Sequence, residues 1–266
     1  MQYKSFTNNS IVITGASQGI GRELALQLAK QGALLTLAAR NIDQLNQVVG
    51  LCQQNGGKAI AIMTDIAHES QCQALIKRAV DEYGRIDILV NNAGIGFSSR
   101  FDCLKNLSPG EMVMQINFWG SIFCTYHALE YLKQTRGRII VINSGFGTFP
   151  APSSSFYSAS KYALVGFFDA LRLEIENSGV TITMIYPEWV ATGVSSRALD
   201  SDGNLTGNIN PHEIGAMPVG ICVKAILKAA EKRKREVLMT VKLKIGKILG
   251  SIFPNITDKI ARISFK

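Results

Sequence analysis

Three side chains in the middle of the chain have the types and the spacing needed for proton transfer. Tyr157 and Lys161 are four positions apart, which places both side chains on one face of a helix. A free phenol has a pKa of about 10, and an ammonium group beside it favours the phenolate and brings that pKa toward the working range. Ser144 follows the apolar run 139–142, so its hydroxyl stands where a strand should end. A tyrosine at this spacing also suits ordinary packing, so the assignment depends on the elements around it.

The elements that must position these groups alternate regularly along the chain. Short apolar runs rich in β-branched residues alternate with segments of helical period, which indicates a parallel sheet covered by helices on both faces. Strands are predicted at 10–14, 34–38, 58–63, 86–90, 138–143, 180–186 and 235–239, and helices at 22–30, 43–54, 69–83, 157–177 and from Pro109, with Ser108 as N-cap, past Asn117 toward Lys133. Ligands bind such sheets beyond the carboxyl ends of the strands, where the polar clusters of this chain fall.

A glycine-rich loop joins the first predicted strand to the first helix. Its glycines are Gly15, Gly19 and Gly21. In this layout the backbone N–H groups of the loop and the N-terminus of the helix receive a phosphate group. An ordinary strand-to-helix turn is the alternative reading.

Length and composition favour one enzyme-sized domain. The chain has 266 residues, of which 47% are hydrophobic, and no Pro/Gly/Ser-rich linker divides it. The domain is predicted to cover 1–240, including a loop at 193–216 that contains a polar stretch expected to be mobile. The net charge of +8 lies in residues 232–266, because 1–231 carry 18 basic and 18 acidic residues whereas 232–266 carry 10 and 2. A nucleic-acid groove in the body of the protein is therefore disfavoured.

Cysteine usage and the chain start point to a reducing compartment. The five cysteines are scattered, no Cys-x-x-Cys pair occurs, and the three histidines are not clustered. This pattern predicts neither a disulfide framework nor a metal site, and it favours the cytoplasm. The first ten residues contain no apolar segment of a secretory signal, and no apolar run reaches the roughly 18 residues that a bilayer requires.

Four motifs together resemble the short-chain dehydrogenase/reductase family. They are Thr-Gly-x-x-x-Gly-x-Gly at 14–21, Asn-Asn-Ala-Gly at 91–94, Ser144, and Tyr157-x-x-x-Lys161, in the family's order and spacing. The resemblance covers roughly residues 8 to 195. It implies a single-domain Rossmann-type α/β fold, a three-layer α/β/α domain with a seven-stranded parallel sheet. It also implies a homodimer or homotetramer joined through the helices that carry Asn117 and Tyr157.

The resemblance assigns a role to each residue of the expected active site. Tyr157 protonates the alkoxide or deprotonates the alcohol, and Lys161 lowers the tyrosine pKa and holds the nicotinamide ribose. Ser144 donates a hydrogen bond to the substrate oxygen, where negative charge develops. Asn117 corresponds to the family's helix asparagine that holds a water between Lys161 and solvent.

The resemblance also implies a set of cofactor contacts along the carboxyl edge of the sheet. They are Gly15, Ser17, Gly19, Ile20, Gly21, Arg40, Asn41, Asp65, Ile66, Asn91, Ala93, Gly94, Tyr157, Lys161, Pro187, Val190 and Thr192. Asp65 is expected at the adenine, with an N-cap role as the alternative. Asn91 is equally compatible with a structural role in the central strand.

The end of the second predicted strand favours NADP over NAD. An acidic residue there would accept the ribose hydroxyls of NAD and repel a 2′-phosphate. This chain has Ala39 at that position, followed by Arg40 and Asn41, and an arginine can pair with a phosphate. NAD remains the alternative cofactor, because Gln18 stands where a second basic residue is often found.

Apolar residues around the expected pocket point to an apolar substrate. Substrate contacts are predicted from Phe146, Phe149 and Trp189, with Phe156, 95–97 and the remaining residues of 145–150 and 193–216 nearby. Packing is an equal alternative for aromatic side chains in such loops. The chain departs from the family at Glu188, where a glycine is usual after the sixth strand, and this puts the local loop geometry in doubt.

The tail 241–266 has the pattern of two basic amphipathic helices. Val241, Ile245, Ile248, Leu249 and Ile252 recur at helical spacing, as do Ile256, Ile260 and Ile263, with lysines and arginines between them. Such helices lie at a membrane surface, cover a pocket or form a subunit interface, and the sequence leaves these three open.

The resulting functional hypothesis is an oxidoreductase. It transfers a hydride between NADP and an apolar ketone or secondary alcohol of steroid-like, retinoid-like or 3-oxoacyl type. The alternative is a non-catalytic nucleotide-binding regulator or scaffold with the same fold.

Overall fold

The computed structural model describes residues 6–149 and 151–264, apart from the side chains of Ser251 and Ser264. The predicted limits of the domain and tail at Met1 and Lys266 lie outside the described residues. So does Pro150 of the expected substrate segment.

Seven parallel strands form one sheet. Their bounds are β1 Ser10–Thr14, β2 Leu34–Ala39, β3 Lys58–Met63, β4 Ile88–Asn91, β5 Arg138–Ile142, β6 Thr181–Tyr186 and β7 Glu236–Leu238. The order across the sheet is β3-β2-β1-β4-β5-β6-β7. From β1 the chain runs to β2 and β3 on one side, and from β4 it runs to β5, β6 and β7 on the other. A crevice for a ligand therefore opens at the carboxyl ends of the neighbouring strands β1 and β4.

Helices cover both faces of the sheet, and this confirms the predicted three-layer fold. Helices α1 Gly19–Ala29, α2 Ile42–Gln54 and α7 Val219–Glu231 pack on one face, and α3 Glu69–Tyr83, α5 Gly120–Thr135 and α6 Ser155–Glu174 pack on the other. In β1, Ile11 and Ile13 enter the first core and Val12 the second. Because both sheet faces are buried, the strands have continuous rather than alternating hydrophobicity.

The helix expected from Pro109 is interrupted. It begins as α4 Ser108–Met114, passes through a π-helical segment at Gln115–Trp119 and continues as α5. Ser108 is the first helical residue rather than the N-cap, because Asn106 Oδ1 accepts hydrogen bonds from both the Ser108 amide and hydroxyl. A π segment often marks a functional position, and Asn117 lies at its centre.

Two helices follow β7. They are α8 Val241–Ile252 and α9 Pro254–Ser264. The α8 residue Leu243 is fully buried against the domain, whereas most large apolar side chains of α8 and α9 are exposed. Over the described part of the chain, no helix combines the length and apolar character required to cross a bilayer.

Candidate active site

Tyr157 and Lys161 lie together on α6, at the carboxyl edge of the sheet. The Lys161 Nζ is 5.6 Å from the centroid of the Tyr157 ring. Lys161 is 5% exposed, and its Nζ donates a hydrogen bond of 3.1 Å to the carbonyl oxygen of Ile142, the last residue of β5. The helical spacing thus brings the two groups together, and the end of β5 fixes the ammonium.

Ser144 joins them from the end of β5. Its hydroxyl lies close enough to the Tyr157 hydroxyl to act on the tyrosine pKa as a hydrogen-bond partner. Asn143 sets this contact, because its Oδ1 accepts from the Ser144 amide at 2.9 Å while its Nδ2 donates to the Lys161 carbonyl at 3.2 Å. Sequence reasoning missed Asn143, although an asparagine directly before the expected catalytic serine at a strand end was the available signal.

The pKa of Tyr157 shifts in the direction opposite to the expectation. Burial raises it, and the hydrogen bond from Ser144 only partly opposes that change. Burial also lowers the pKa of the Lys161 ammonium to about 8. The ammonium was expected to lower the tyrosine pKa, but in this low-dielectric site removal of water from the phenolate has the larger effect. The phenol is therefore held protonated, as a proton donor must be.

Asn117 connects the π segment to this site. Its Oδ1 accepts from the Ile95 amide at 2.8 Å, and its Nδ2 donates to the Ile95 carbonyl at 2.9 Å and to Ser160 Oγ at 3.1 Å. A Cβ added to Gly94 would lie 3.0 Å from Asn117 Oδ1 and 3.8 Å from Lys161 Nζ. Asn117 therefore lies beside Lys161, and its amide holds the 94–95 turn against α6.

The glycine loop is packed against the turn that follows β4. A Cβ on Gly21 would lie 2.4 Å from the Gly15 carbonyl oxygen and 2.6 Å from Asn92 Nδ2. Asn92 Nδ2 donates to the carbonyls of Thr14 and Gly15 at 2.8 and 3.1 Å. The Thr14 hydroxyl accepts from the amides of Asn92 and Ala93. Thr14 and Asn92 thus shape the loop. Both lie in the motifs that carry the family resemblance, but the sequence did not identify their hydrogen-bond partners.

The loop fits the phosphates of a dinucleotide. Gly15 has φ of +64°, which places its carbonyl and the following amides in a turn that a side chain would strain. No side chain among the described residues caps the N-terminus of α1, and the first turn of α1 contains no acidic residue. Ser17 and Ile20 lie partly exposed in the loop and first turn. Free N–H groups and the positive end of the helix dipole are what a pyrophosphate requires.

Arg40, directly after β2, has an exposed positive charge. Arg40 is exposed, and its guanidinium makes no hydrogen bond or ion pair within the described residues. Asn41 is the N-cap of α2, because its Oδ1 accepts from the Gln44 amide at 2.9 Å. Of these two predicted cofactor contacts, only Arg40, the one expected to pair with a 2′-phosphate, has its side chain available.

Three further predicted cofactor residues have structural contacts. Asp65 uses Oδ1 to accept from the Ala67 amide at 3.0 Å, whereas His68 is the N-cap of α3. Ile66 packs against Gly120 at the start of α5. Asn91 donates to Thr125 of α5 at 2.9 Å, which matches its alternative structural role.

The segment after β6 closes over the glycine loop. The Pro187 carbonyl accepts from the Gly145 amide at 2.9 Å, and Val190 pairs with Met217. Thr192 lies over the loop, because a Cβ on Gly19 would be 3.3 Å from Thr192 Cβ.

The residues after Thr192 are held by one carboxylate. Glu213 accepts from the backbone amides of residues 192–195 and from the Ser195 hydroxyl. Burial opposes ionisation, but these hydrogen bonds outweigh it and keep the pKa of Glu213 below its ordinary value. Sequence reasoning missed Glu213, since a glutamate in a polar loop carries no signal of its partner.

Three of the four aromatic candidates form one cluster, and Phe146 of that cluster contacts Tyr157. The Phe146 ring lies 5.7 Å from the Tyr157 ring, 6.3 Å from Phe149 and 6.1 Å from Trp189. Phe156 instead lies against Phe97 and α4, where a Cβ on Gly110 would be 2.4 Å from its ring. Phe156 is therefore a packing residue, and the other three form an apolar wall beside the tyrosine.

The Lys161 ionisation predicts a pH profile. For any reaction in which Tyr157 donates a proton, we expect kcat/KM to be level below pH 8 and to fall about tenfold per unit above it, because Lys161 loses its charge near pH 8. The raised pKa of Tyr157 keeps the proton donor intact over this range. Steady-state turnover across pH measures the profile. A level rate up to pH of about 10 would contradict the prediction that loss of the Lys161 charge near pH 8 limits the reaction.

Sequence comparisons connect this geometry to known proteins. The sequence profile of the short chain dehydrogenase family matches residues 9–202. An 11-beta-hydroxysteroid dehydrogenase of Pinus massoniana is 34% identical over 262 residues, which are 96% of this chain and 73% of that protein. The 11-beta-hydroxysteroid dehydrogenase-like 2 protein of Arabidopsis thaliana is 32% identical over 263 residues, covering 97% of this chain and 82% of that protein.

Solved structures share the architecture. A dehydrogenase/reductase from Sinorhizobium meliloti 1021 superposes with a TM-score of 0.77 at 26% identity, covering 88% of this chain and 92% of that one. An alcohol dehydrogenase from the archaeon Thermococcus sibiricus, complexed with 5-hydroxy-NADP, superposes with a TM-score of 0.75 at 26% identity. That match covers 86% of this chain and 94% of the archaeal one.

Proposed function

This chain belongs to the short-chain dehydrogenase/reductase family, and we propose that it is an NADP-dependent oxidoreductase that interconverts an apolar ketone and its secondary alcohol. One observation carries the proposal. The Tyr157 hydroxyl contacts Ser144 and lies beside the buried ammonium of Lys161, at the sheet edge where the glycine loop opens. A protein that only binds a nucleotide has no need of this arrangement.

The side chains divide the work of reduction between them. The bound nicotinamide supplies the hydride. Ser144 donates a hydrogen bond to the substrate oxygen, where negative charge grows during the reaction. Tyr157 delivers its proton to that oxygen, and the charge of Lys161 favours the phenolate that is left. In the oxidative direction the same phenolate removes the alcohol proton.

Cofactor preference is assigned to Arg40. We expect Arg40→Ala to weaken NADPH binding by about tenfold or more and to leave NADH binding within about twofold, because only NADPH carries the 2′-phosphate. Fluorescence titration with both nucleotides measures the effect, with Arg22→Ala, another exposed arginine near the loop, as the matched control. Equal losses for NADPH and NADH, or none, would contradict the proposed NADP specificity.

The proposed substrate is an apolar ketone or alcohol. The aromatic wall of Phe146, Phe149 and Trp189 beside Tyr157 supports an apolar ligand. Relatives named 11-beta-hydroxysteroid dehydrogenase make a keto- or hydroxysteroid the first probe, followed by retinoid and 3-oxoacyl compounds. Turnover of NADPH with a panel of such ketones tests the proposal. Tight nucleotide binding without turnover of any of them, in either direction, would favour the regulator or scaffold.

The proposed assembly is a homodimer or homotetramer through α5 and α6. Their outer faces expose Tyr126 of α5 and Tyr162 and Leu173 of α6, at 71%, 45% and 68%. Apolar surface on these two helices supports an interface between copies of the chain. Light scattering with size exclusion measures the assembly directly.

Peripheral contact of this proposed cytoplasmic protein with an anionic membrane is assigned to α8 and α9. Val241, Ile245, Ile248 and Ile252 of α8 are 51 to 68% exposed, and Ile256, Ile260 and Ile263 of α9 are 48 to 76% exposed. Lysines and arginines interleave with them, so the surface combines apolar area with positive charge.

Vesicle flotation tests this surface. We expect the protein to float with vesicles that contain phosphatidylserine and to remain behind with neutral ones, and Ile256→Asp with Ile260→Asp to abolish flotation. Equal behaviour with both vesicles would contradict the assignment.

A further inference from the structure

We propose that Glu188 is a positioning residue that holds α8 against the active site, and that Leu243 of α8 supports the aromatic wall of the substrate pocket from behind. The second half rests on the proposed function, because it concerns the ketone that the pocket accepts. The first half is a property of the protein alone. It explains why this chain has a carboxylate where its family usually has a glycine.

The Glu188 side chain bridges the end of β6 and the start of α8. Its Oε2 accepts a hydrogen bond of 2.8 Å from the Thr240 hydroxyl, and its Oε1 lies 3.3 Å from Lys242 Nζ. Thr240 is the N-cap of α8, because its Oγ1 also accepts from the Leu243 amide at 3.2 Å. Glu188 therefore fixes the group that caps the helix and places its charge near the positive end of the helix dipole.

The hydrogen bond carries more of this contact than the ion pair. The Lys242 side chain is 70% exposed, so water and salt screen its charge, whereas the Glu188 side chain is 23% exposed. An uncharged acceptor at position 188 should consequently keep part of the effect.

Leu243 is the point where α8 meets the catalytic segment. Leu243 is fully buried, and its Cδ2 would lie 2.7 Å from a Cβ on Gly145, the residue after Ser144. The same Cβ would lie 3.6 Å from the Phe149 ring, and a Cβ on Gly246 of α8 would lie 3.9 Å from that ring. Leu243 thus lies behind the aromatic wall that leads through Phe146 to Tyr157.

A second anchor holds the middle of α8. Lys247 Nζ lies 2.6 Å from Glu236 Oε2 of β7 and 5.4 Å from the centroid of the Tyr186 ring of β6. With Glu188 at the first turn and Lys247 about two turns later, the inner face of α8 is attached to β6 and β7. These contacts with the domain fix the orientation of α8 and therefore the position of Leu243.

We call the contacts of Glu188 with Thr240 and Lys242 the latch. Loss of the latch should weaken substrate binding more than it slows the chemical step. Glu188 touches neither Tyr157 nor Lys161, and the glycine loop lies on the other side of the site, at β1. When α8 loosens, the wall behind Phe149 recedes and a rigid ketone loses contacts that it makes in the ground state and the transition state alike. Because the binding energy lost is the same in the ground state and the transition state, KM rises and kcat stays nearly unchanged.

The experiment compares Glu188→Ala, Glu188→Gln and Leu243→Ala with wild type, with Glu176→Ala and Ile245→Ala as matched controls. Glu176 is an exposed glutamate without a hydrogen bond or ion pair in the described chain, and Ile245 lies on the outer face of α8.

In Glu188→Ala we expect amide exchange of residues 241–252 to accelerate about tenfold or more. We expect an intermediate rate in Glu188→Gln, whose amide oxygen still accepts from Thr240. Exchange at the wild-type rate in Glu188→Ala would overturn the latch, whether or not any ketone is turned over.

The kinetic arm tests the pocket wall. We expect Glu188→Ala and Leu243→Ala to raise KM for a rigid ketone about tenfold, with kcat and NADPH affinity within about twofold of wild type and the controls unchanged. Faster exchange with an unchanged KM would overturn the pocket-wall half and keep the latch. Absence of turnover in wild type would instead overturn the proposed oxidoreductase function, which the exchange arm does not require.

Discussion

Replacement of Tyr157 by phenylalanine is expected to lower kcat for ketone reduction by about 10³-fold or more and to leave NADPH affinity within about twofold. The variant keeps the ring that Phe146 and Lys161 contact, at 5.7 and 5.6 Å, and removes only the hydroxyl. Without that hydroxyl no group supplies the proton to the substrate oxygen, and positioned general acids contribute about 10² to 10⁴ in rate. Stopped-flow or steady-state measurement of NADPH oxidation gives kcat, and fluorescence titration gives the affinity for NADPH.

Tyr162→Phe is the matched control for this change. Tyr162 lies five residues further along α6 and is 45% exposed, so loss of its hydroxyl should leave kcat unchanged. Equal rates for wild type and Tyr157→Phe would remove the tyrosine from the mechanism. Equal losses in Tyr157→Phe and Tyr162→Phe would show that damage to α6, rather than loss of a proton donor, is being measured.

The second large effect is expected for Gly21→Ala, which should strongly weaken NADPH binding. The added Cβ would lie 2.4 Å from the Gly15 carbonyl oxygen and 2.6 Å from Asn92 Nδ2. Both neighbours belong to the framework that shapes the phosphate loop, so relief of the clash must open the loop or break the Asn92 hydrogen bonds. We expect nucleotide affinity to fall about 100-fold or more, with a loss of about 1–3 kcal/mol in the free energy of unfolding.

Gly50→Ala provides the comparison for that variant. Gly50 lies within α2, and a Cβ there would have no neighbour within 4 Å. The same substitution should therefore raise the free energy of unfolding by about 0.5–1 kcal/mol, through helix propensity alone, and leave NADPH binding intact. Titration calorimetry and thermal unfolding of both variants measure the contrast. Normal NADPH binding by Gly21→Ala would exclude the loop as the phosphate site.

Local signals in the sequence were sufficient for the sheet and for the central side chains of the site. The strands have continuous apolar runs, and Tyr157 and Lys161 share one helix face at any plausible helix geometry. The framework around them could not be predicted in this way. Thr14, Asn92 and Asn143 act through hydrogen bonds to residues far away in the chain, and their partners become known only when the strands are ordered in space.

The tail illustrates a different limit of sequence reasoning. Helical periodicity correctly predicted two amphipathic helices, and the apolar stripe through Val241, Ile245 and Ile248 was the natural candidate for a buried face. The structure leaves this stripe exposed and buries Leu243, which the pattern had left outside it. Periodicity defines the faces of a helix, but the choice of the face that meets the domain depends on contacts such as Gly145 and Glu188, which no local pattern contains.

The carboxylate of Glu213 has a consequence for the acid tolerance of the site. It fills a concave nest of amides at residues 192–195, the kind of backbone site that otherwise attracts free anions, so the segment above Gly19 carries its own counter-ion. Since the folded-state pKa of Glu213 lies below that of an unfolded glutamate, its stabilising effect is complete above the unfolded value and disappears only as pH falls through the folded one. Mild acidification that already neutralises surface carboxylates should therefore leave the hydrogen bonds between Glu213 and residues 192–195 intact.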